Sequence, residues 1–166
     1  MAANQATVNV SASVLPDDMK FSVGGTIVYD LNDMAGDASK WIYIANDIDS
    51  STEVLIPVGV GYLGSGATGD AGNTTPTVTA AGDLLEFVVI KHSGFQADGV
   101  TVSTDNLFIN FTHGVNADNA TGNLVLEPGD VWWGRFAGTA DTVDLQGEAA
   151  ANDIKVLVYA VLDDAS

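Results

Sequence analysis

Two histidines, one arginine, 22 carboxylates and no cysteine set the chemistry open to this chain. A nucleophilic triad needs a histidine within reach of both a nucleophile and a carboxylate. His92 has a serine beside it in "KHSG", but adjacent residues on a strand point to opposite faces, so the two read as neighbours and not as partners. A glycosidase needs a carboxylate pair, and in a chain this acidic some pair always falls close enough, so proximity carries no information. Nothing resembles a glycine-rich phosphate loop opening a helix. The run "NDIDSSTE", with Asp47, Asp49, Ser51 and Glu53 at alternate positions, offers oxygens to calcium. It lacks the glycine and the distal glutamate of an EF-hand loop and reads more simply as an acidic turn. No catalytic residue, metal site or cofactor is expected.

The stretch "LEPGDVWWGRF" holds two of the three tryptophans and the only arginine. The overlapping "GNLVLEPGD", Gly122 to Asp130, is similar to the second motif of the cupin family, in which a glycine precedes a Pro-Gly turn. The cupin metal histidines have no counterpart here: Asp130, Val131, Trp132 and Trp133 follow Pro128-Gly129. The resemblance implies a strand–turn–strand without a metal. Proline presets a turn and glycine accepts a positive φ. In the strand that follows, period-two geometry sends Trp132 and Trp133 to opposite faces. One is expected in the core and the other, tilted toward Trp133, at a contact with a neighbouring subunit, where tryptophan and arginine are enriched. Arg135 shares the face of Trp133. Trp132, Trp133 and Arg135 are therefore the candidate partner-interface residues.

Charge narrows the partners. Five Lys and Arg against 22 Asp and Glu leave a formal net charge of −17, with the acids scattered. Such a surface repels nucleic-acid phosphates and anionic membranes, so neither is an expected partner. The opening "MAANQATVNV" has no basic or apolar region of the signal-peptide kind, and no apolar run is long enough to span a bilayer as a helix. The N-x-S/T triplets at Asn9, Asn73, Asn110 and Asn119 are read as composition and not as glycosylation sites.

The positioning elements are strands. "TVNVSASV" alternates Val8, Val10, Ala12 and Val14 against polar residues, and "GTIVYDL" places Ile27, Tyr29 and Leu31 inward. "KWIYIAND" splits Trp41 and Tyr43 from Ile42 and Ile44; "TEVLIPVGVGYLG" is an edge or bulged strand interrupted by Pro57. Residues 65–76 form a glycine-rich loop. "DLLEFVVIKH" is a strong apolar strand, followed by a turn with an Asp98-Gly99 hairpin signal. "DNLFINFT" sets Leu107, Ile109 and Phe111 against Phe108, Asn110 and Thr112. "DTVDLQG" is a short edge candidate, and "NDIKVLVYAVL", apolar on both faces, is a central strand. Only "DDMKF" and "DMAGDASKW" hold room for a helical turn. About nine or ten short strands and no helical periodicity predict one all-β domain spanning residues 1–166, an antiparallel β-sandwich of jelly-roll-like type.

From Asp83 onward the chain resembles small β-sandwich proteins of tailed-bacteriophage virions. The resemblance runs through "DLLEFVVIKHSGFQADGVTVSTDNLFINF", "LVLEPGDVWWGRF" and "DIKVLVYAVLDD". It implies a non-enzymatic structural protein of the virion: a capsid decoration (cement) protein that binds the major capsid protein and copies of itself on the outside of the head, after assembly in host cytoplasm. The negative charge suits the exterior and not the DNA-filled interior. Two alternatives stand beside it. One is a carbohydrate-binding β-sandwich using Trp41 or Trp132 and Trp133 as a sugar platform. The other is a tail or receptor-binding component.

Overall fold

A computed structural model describes residues 5–11, 24–30, 40–59, 83–112, 124–136 and 141–163. Within them the chain is all-β, with a single 3-10 turn at Thr142–Asp144 and ten strands: β1 (Gln5–Ser11), β2 (Gly24–Asp30), β3 (Lys40–Ile48), β4 (Glu53–Val54), β5 (Leu84–Gln96), β6 (Leu107–Asn110), β7 (Leu124–Leu126), β8 (Val131–Arg135), β9 (Gln146–Ala149) and β10 (Ile154–Asp163). β1 and β2 form a two-stranded antiparallel ribbon, in which Thr26 Oγ1 donates to Asn9 Oδ1 at 2.8 Å on its exposed polar face.

The other eight strands make two four-stranded antiparallel sheets, ordered β3-β10-β5-β8 and β4-β9-β6-β7. Their pairing is nested. β3 pairs with β10, β4 with β9, β5 with β8 and β6 with β7, and successive pairs fall alternately in the first and second sheet. Alternation along each strand sends Ile42, Ile48, Val88, Ile90, Ile154, Val156 and Val158 of the first sheet toward Leu107, Ile109, Leu126 and Ala149 of the second. Together they form one buried cluster, as in a β-sandwich.

Sequence alternation located most of these strands but misjudged three features. "DTVDLQG" is not an edge strand: it supplies the 3-10 turn and then β9, an inner strand between β4 and β6. Gly147 permits this, because a β-carbon there would stand 2.7 Å from Leu55 Cδ2. Of the interrupted strand expected over residues 52–64, the described part, which ends at residue 59, holds only Glu53–Val54 as strand, although Leu55 and Ile56 remain fully buried. β5 does not stop at His92 but runs on to Gln96, with Gly94 at φ +86 absorbing an irregularity against β10. Pro128-Gly129 is, as expected, a turn between two strands. β7 and β8 belong to different sheets, and the turn crosses between them.

That turn closes through the Asp130 N–H to the Glu127 carbonyl at 2.9 Å, with Gly129 at φ +95, as Pro-Gly at its centre requires. The Asp98-Gly99 signal also forms a turn. Asp98 Oδ1 accepts from the N–H groups of Val100 and Thr101, both at 2.8 Å, and Gly99 lies at φ +71. Loop 65–76, His113, Leu31 and nearly all of both expected helical turns lie outside the described residues, as does the side chain of Trp41.

Candidate functional site

His92 sits at a junction of backbone segments. Its ring is fully buried on the core side of β5. The Gly94 N–H donates to Nδ1 at 3.1 Å, so Nε2 carries the proton and donates to the Asp105 carbonyl at 2.8 Å. Both ring nitrogens are thereby committed to backbone, and neither meets a nucleophile or a carboxylate. Its own N–H donates to the Asp130 carbonyl at 3.0 Å, and its carbonyl accepts from Gly129 at 3.2 Å. Ser93 turns to its neighbours, its Oγ accepting from the Phe95 N–H at 3.1 Å. His92 thus joins β5, the inter-sheet turn and the segment before β6.

The same segment braces a hairpin. The Ser103 N–H donates to the Gly94 carbonyl, Gln96 to Thr101, and Ala97 to Asp153, at 2.9, 2.8 and 3.0 Å. Asp105 Oδ2 accepts from Asn152 Nδ2 at 2.7 Å. Hydrogen bonds to the Thr101 side chain and to the backbone of Val100 and Thr101 hold the Asp98 carboxyl below its ordinary range. Phe95 and Val102 face each other across this rigid hairpin, and both are exposed.

The acidic turn after β3 is knitted from its own groups. Asp49 Oδ1 accepts from both the hydroxyl and the N–H of Ser51, and these bonds lower its pKa. Asp47 pairs with Lys155 of β10, and Thr52 Oγ1 donates to Glu148 Oε2 at 2.8 Å. Glu53 is pushed up, first by burial and then by the charges of Asp49, Asp153 and Asp47. A shallow depression of about 360 Å³ lies here, lined by Asn46, Asp47, Glu53 and Pro57 among others. Among the described residues no three histidines or carboxylates converge as a metal site.

The tryptophans divide as the strand period demands. Trp132 pairs with Ile90 and points inward, packing on the core beside Phe111 and Phe136 at centroid distances of 5.0 and 6.5 Å. Trp133 pairs with Val89 and Arg135 with Phe87, so both stand on the opposite face of the first sheet. The structure separates Trp132 from the other two candidate interface residues.

Trp133 is the end of a row that single strands did not reveal. Register aligns Tyr43 of β3, Tyr159 of β10, Val89 of β5 and Trp133 of β8 side by side across the outward face. The next row is Ala45, Leu157, Lys91 and Val131. Tyr43 is 53% exposed and Val131 52%, whereas Phe87 and Val161, one row the other way, are buried. The open half of the face is therefore the half toward Lys91. Burial raises the Tyr159 hydroxyl pKa. Alternation in "KWIYIAND" had already separated Tyr43 from Ile42 and Ile44, but its outward direction and its alignment with Trp133 depend on strand order and register.

One of the N-x-S/T triplets is enclosed: Asn110 is fully buried, and its Oδ1 accepts from the Thr112 N–H at 2.9 Å. No helix among the described residues is long and apolar enough to cross a membrane. Compared with protein-family models, with curated proteins and with solved structures, the chain has no match.

Proposed function

We propose that this chain is a non-enzymatic structural protein of a tailed-phage virion, a decoration protein that binds the major capsid protein on the outer surface of the head and stabilises it. The observation that carries the reading is the outward face of the first sheet. There a partly exposed aromatic row with Lys91 and Arg135 beside it sits on a frame whose one described histidine is committed to backbone. The nested strand pairs support a jelly-roll winding, in which a folded hairpin of four strand pairs wraps into two sheets. A charge of −17 favours the exterior over the DNA-filled interior. The test is mass spectrometry of purified particles from the source of the sequence, with copy number counted, followed by amine labelling of intact particles. Many copies labelled before DNA release are expected. Absence from particles, or protection until the DNA leaves, overturns the reading.

A second reading is a carbohydrate-binding module, favoured by the in-register row of Tyr43, Tyr159 and Trp133, since aromatic rings with polar edges make stacking platforms. Glycan-array binding that is lost in Trp133→Ala, without co-sedimentation with particles, would favour it.

A further inference from the structure

Phe87 and Val161 are buried on the side of the first sheet that faces away from the core. Neither is more than 1% exposed, yet neither joins the cluster between the two sheets. Register sets them side by side, with Trp41 of β3 next to Val161 and Arg135 of β8 next to Phe87. This row lies one step beyond Tyr43, Tyr159, Val89 and Trp133 on the outward face. The second sheet packs on the opposite face and cannot cover it. A further layer of the chain must therefore lie over Phe87 and Val161.

We infer that this layer is the ribbon of β1 and β2, seated within the same chain on the Phe87–Val161 half of the outward face. Among the described residues the two strands pair only with each other, and a two-stranded ribbon is marginal in water unless it packs on something. Its register gathers Ala6, Val8 and Val10 with Tyr29, Ile27 and Gly25 on one face. Asn9 and Thr26, bonded to each other, are exposed on the other. A ribbon with its polar face in water needs an apolar surface beneath the remaining face, and Phe87 and Val161 need an apolar cover. The tether favours this seat. Residues 31–39 join β2 to β3 and reach at most about 35 Å, and β3 enters the sheet at Lys40, next to the row to be covered. Residues 60–82 also lead to this end, into β5, but their glycine-rich run 65–76 has no apolar alternation with which to line a layer. The outward face of the second sheet is a poorer seat, because Phe108 lies there between exposed Val125 and Glu148. Once seated, the ribbon is a third layer about 10 Å above the sheet. It closes one half of the outward face and leaves the half with Tyr43, Lys91 and Val131 as the surface open to a partner, whatever that partner is.

The experiment places the photo-cross-linker p-benzoylphenylalanine at position 29 of the full chain, in place of Tyr29, and maps the products by mass spectrometry. Links within one chain to residues 84–91 of β5 or 157–163 of β10 are expected. Links to residues 60–82, to the second sheet or to another chain, or no link at all, would each overturn the inference. Hydroxyl-radical footprinting gives a second measure. Ile27→Asp puts a charge on the apolar face of the ribbon and should raise oxidation of Phe87 several-fold, while the fully buried core residue Ile90 stays protected. Thr26→Asp, on the exposed face, should leave Phe87 as protected as in wild type. Protection of Phe87 that survives Ile27→Asp would show that some other segment covers it. If Ile27→Asp exposes Ile90 as well, the whole fold has opened and the cross-linking result decides.

Discussion

A β-carbon on Gly134 would stand 2.5 Å from Cη2 and 2.8 Å from Cζ2 of Trp132. The indole lies along its own strand over the space that the glycine leaves, and from there reaches Phe111 and Phe136. A rigid ring system cannot yield as a flexible side-chain tip would. Gly134→Ala should therefore displace Trp132 and cost about 1–3 kcal/mol, as overpacking does. In a Trp132→Leu background the same change should cost much less, because the two sites are coupled. Urea unfolding of the four proteins in the cycle measures that coupling, and strict additivity would contradict the packing described.

The two adjacent tryptophans should behave differently. Trp132→Ala removes a ring packed on the core and should cost about 3 kcal/mol or more. Trp133→Ala opens the outward row and should cost about 1 kcal/mol while weakening association with the partner. Equal losses of stability, with no change in association, would show that both rings serve only the fold.

His92→Ala should destabilise by about 2–4 kcal/mol, because it leaves the Gly94 N–H and the Asp105 carbonyl without their partner in a buried place. Hydrogen exchange should rise first in the hairpin of residues 93–103, which the ring anchors. Protection there equal to wild type would show that the hairpin stands without it.

Glu53 sets one part of the pH dependence. Its folded pKa is raised, chiefly by burial and then by Asp49, Asp153 and Asp47, so the folded state binds its proton more tightly than the unfolded chain does. The ionised form costs stability above the folded pKa. That cost disappears as pH falls through this value toward the ordinary glutamate value of about 4.3. Glu53→Gln should raise the melting temperature at neutral pH and lose its advantage in acid. Asp49 and Asp98 act with the opposite sign. Their folded pKa values are lowered, so their contribution is present above the ordinary aspartate value and is lost as pH falls through the folded one. Melting temperatures from neutral pH downward separate the two effects, and a Glu53→Gln advantage that persists in acid would refute the assignment.

Much of the architecture was legible in the sequence because strand burial repeats every two residues. "NDIKVLVYAVL", apolar on both faces, announced an inner strand, and β10 lies between β3 and β5. The same period separated Trp132 from Trp133, and Pro128-Gly129 and Asp98-Gly99 named their turns through the φ values that only such pairs accept readily. The remaining features depend on contacts between distant segments. Gln146–Ala149 lacks the apolar alternation of a strand, yet it is an inner one because Leu55 and Leu107 pack over Gly147. His92 reads as an ordinary strand residue until the Asp105 carbonyl arrives at its ring. Tyr43, Tyr159 and Trp133 are far apart along the chain, and only the order β3-β10-β5-β8 with its register brings them into one row. Local periodicity decides which way a side chain points, whereas the pairing of strands distant in sequence decides which side chains become neighbours.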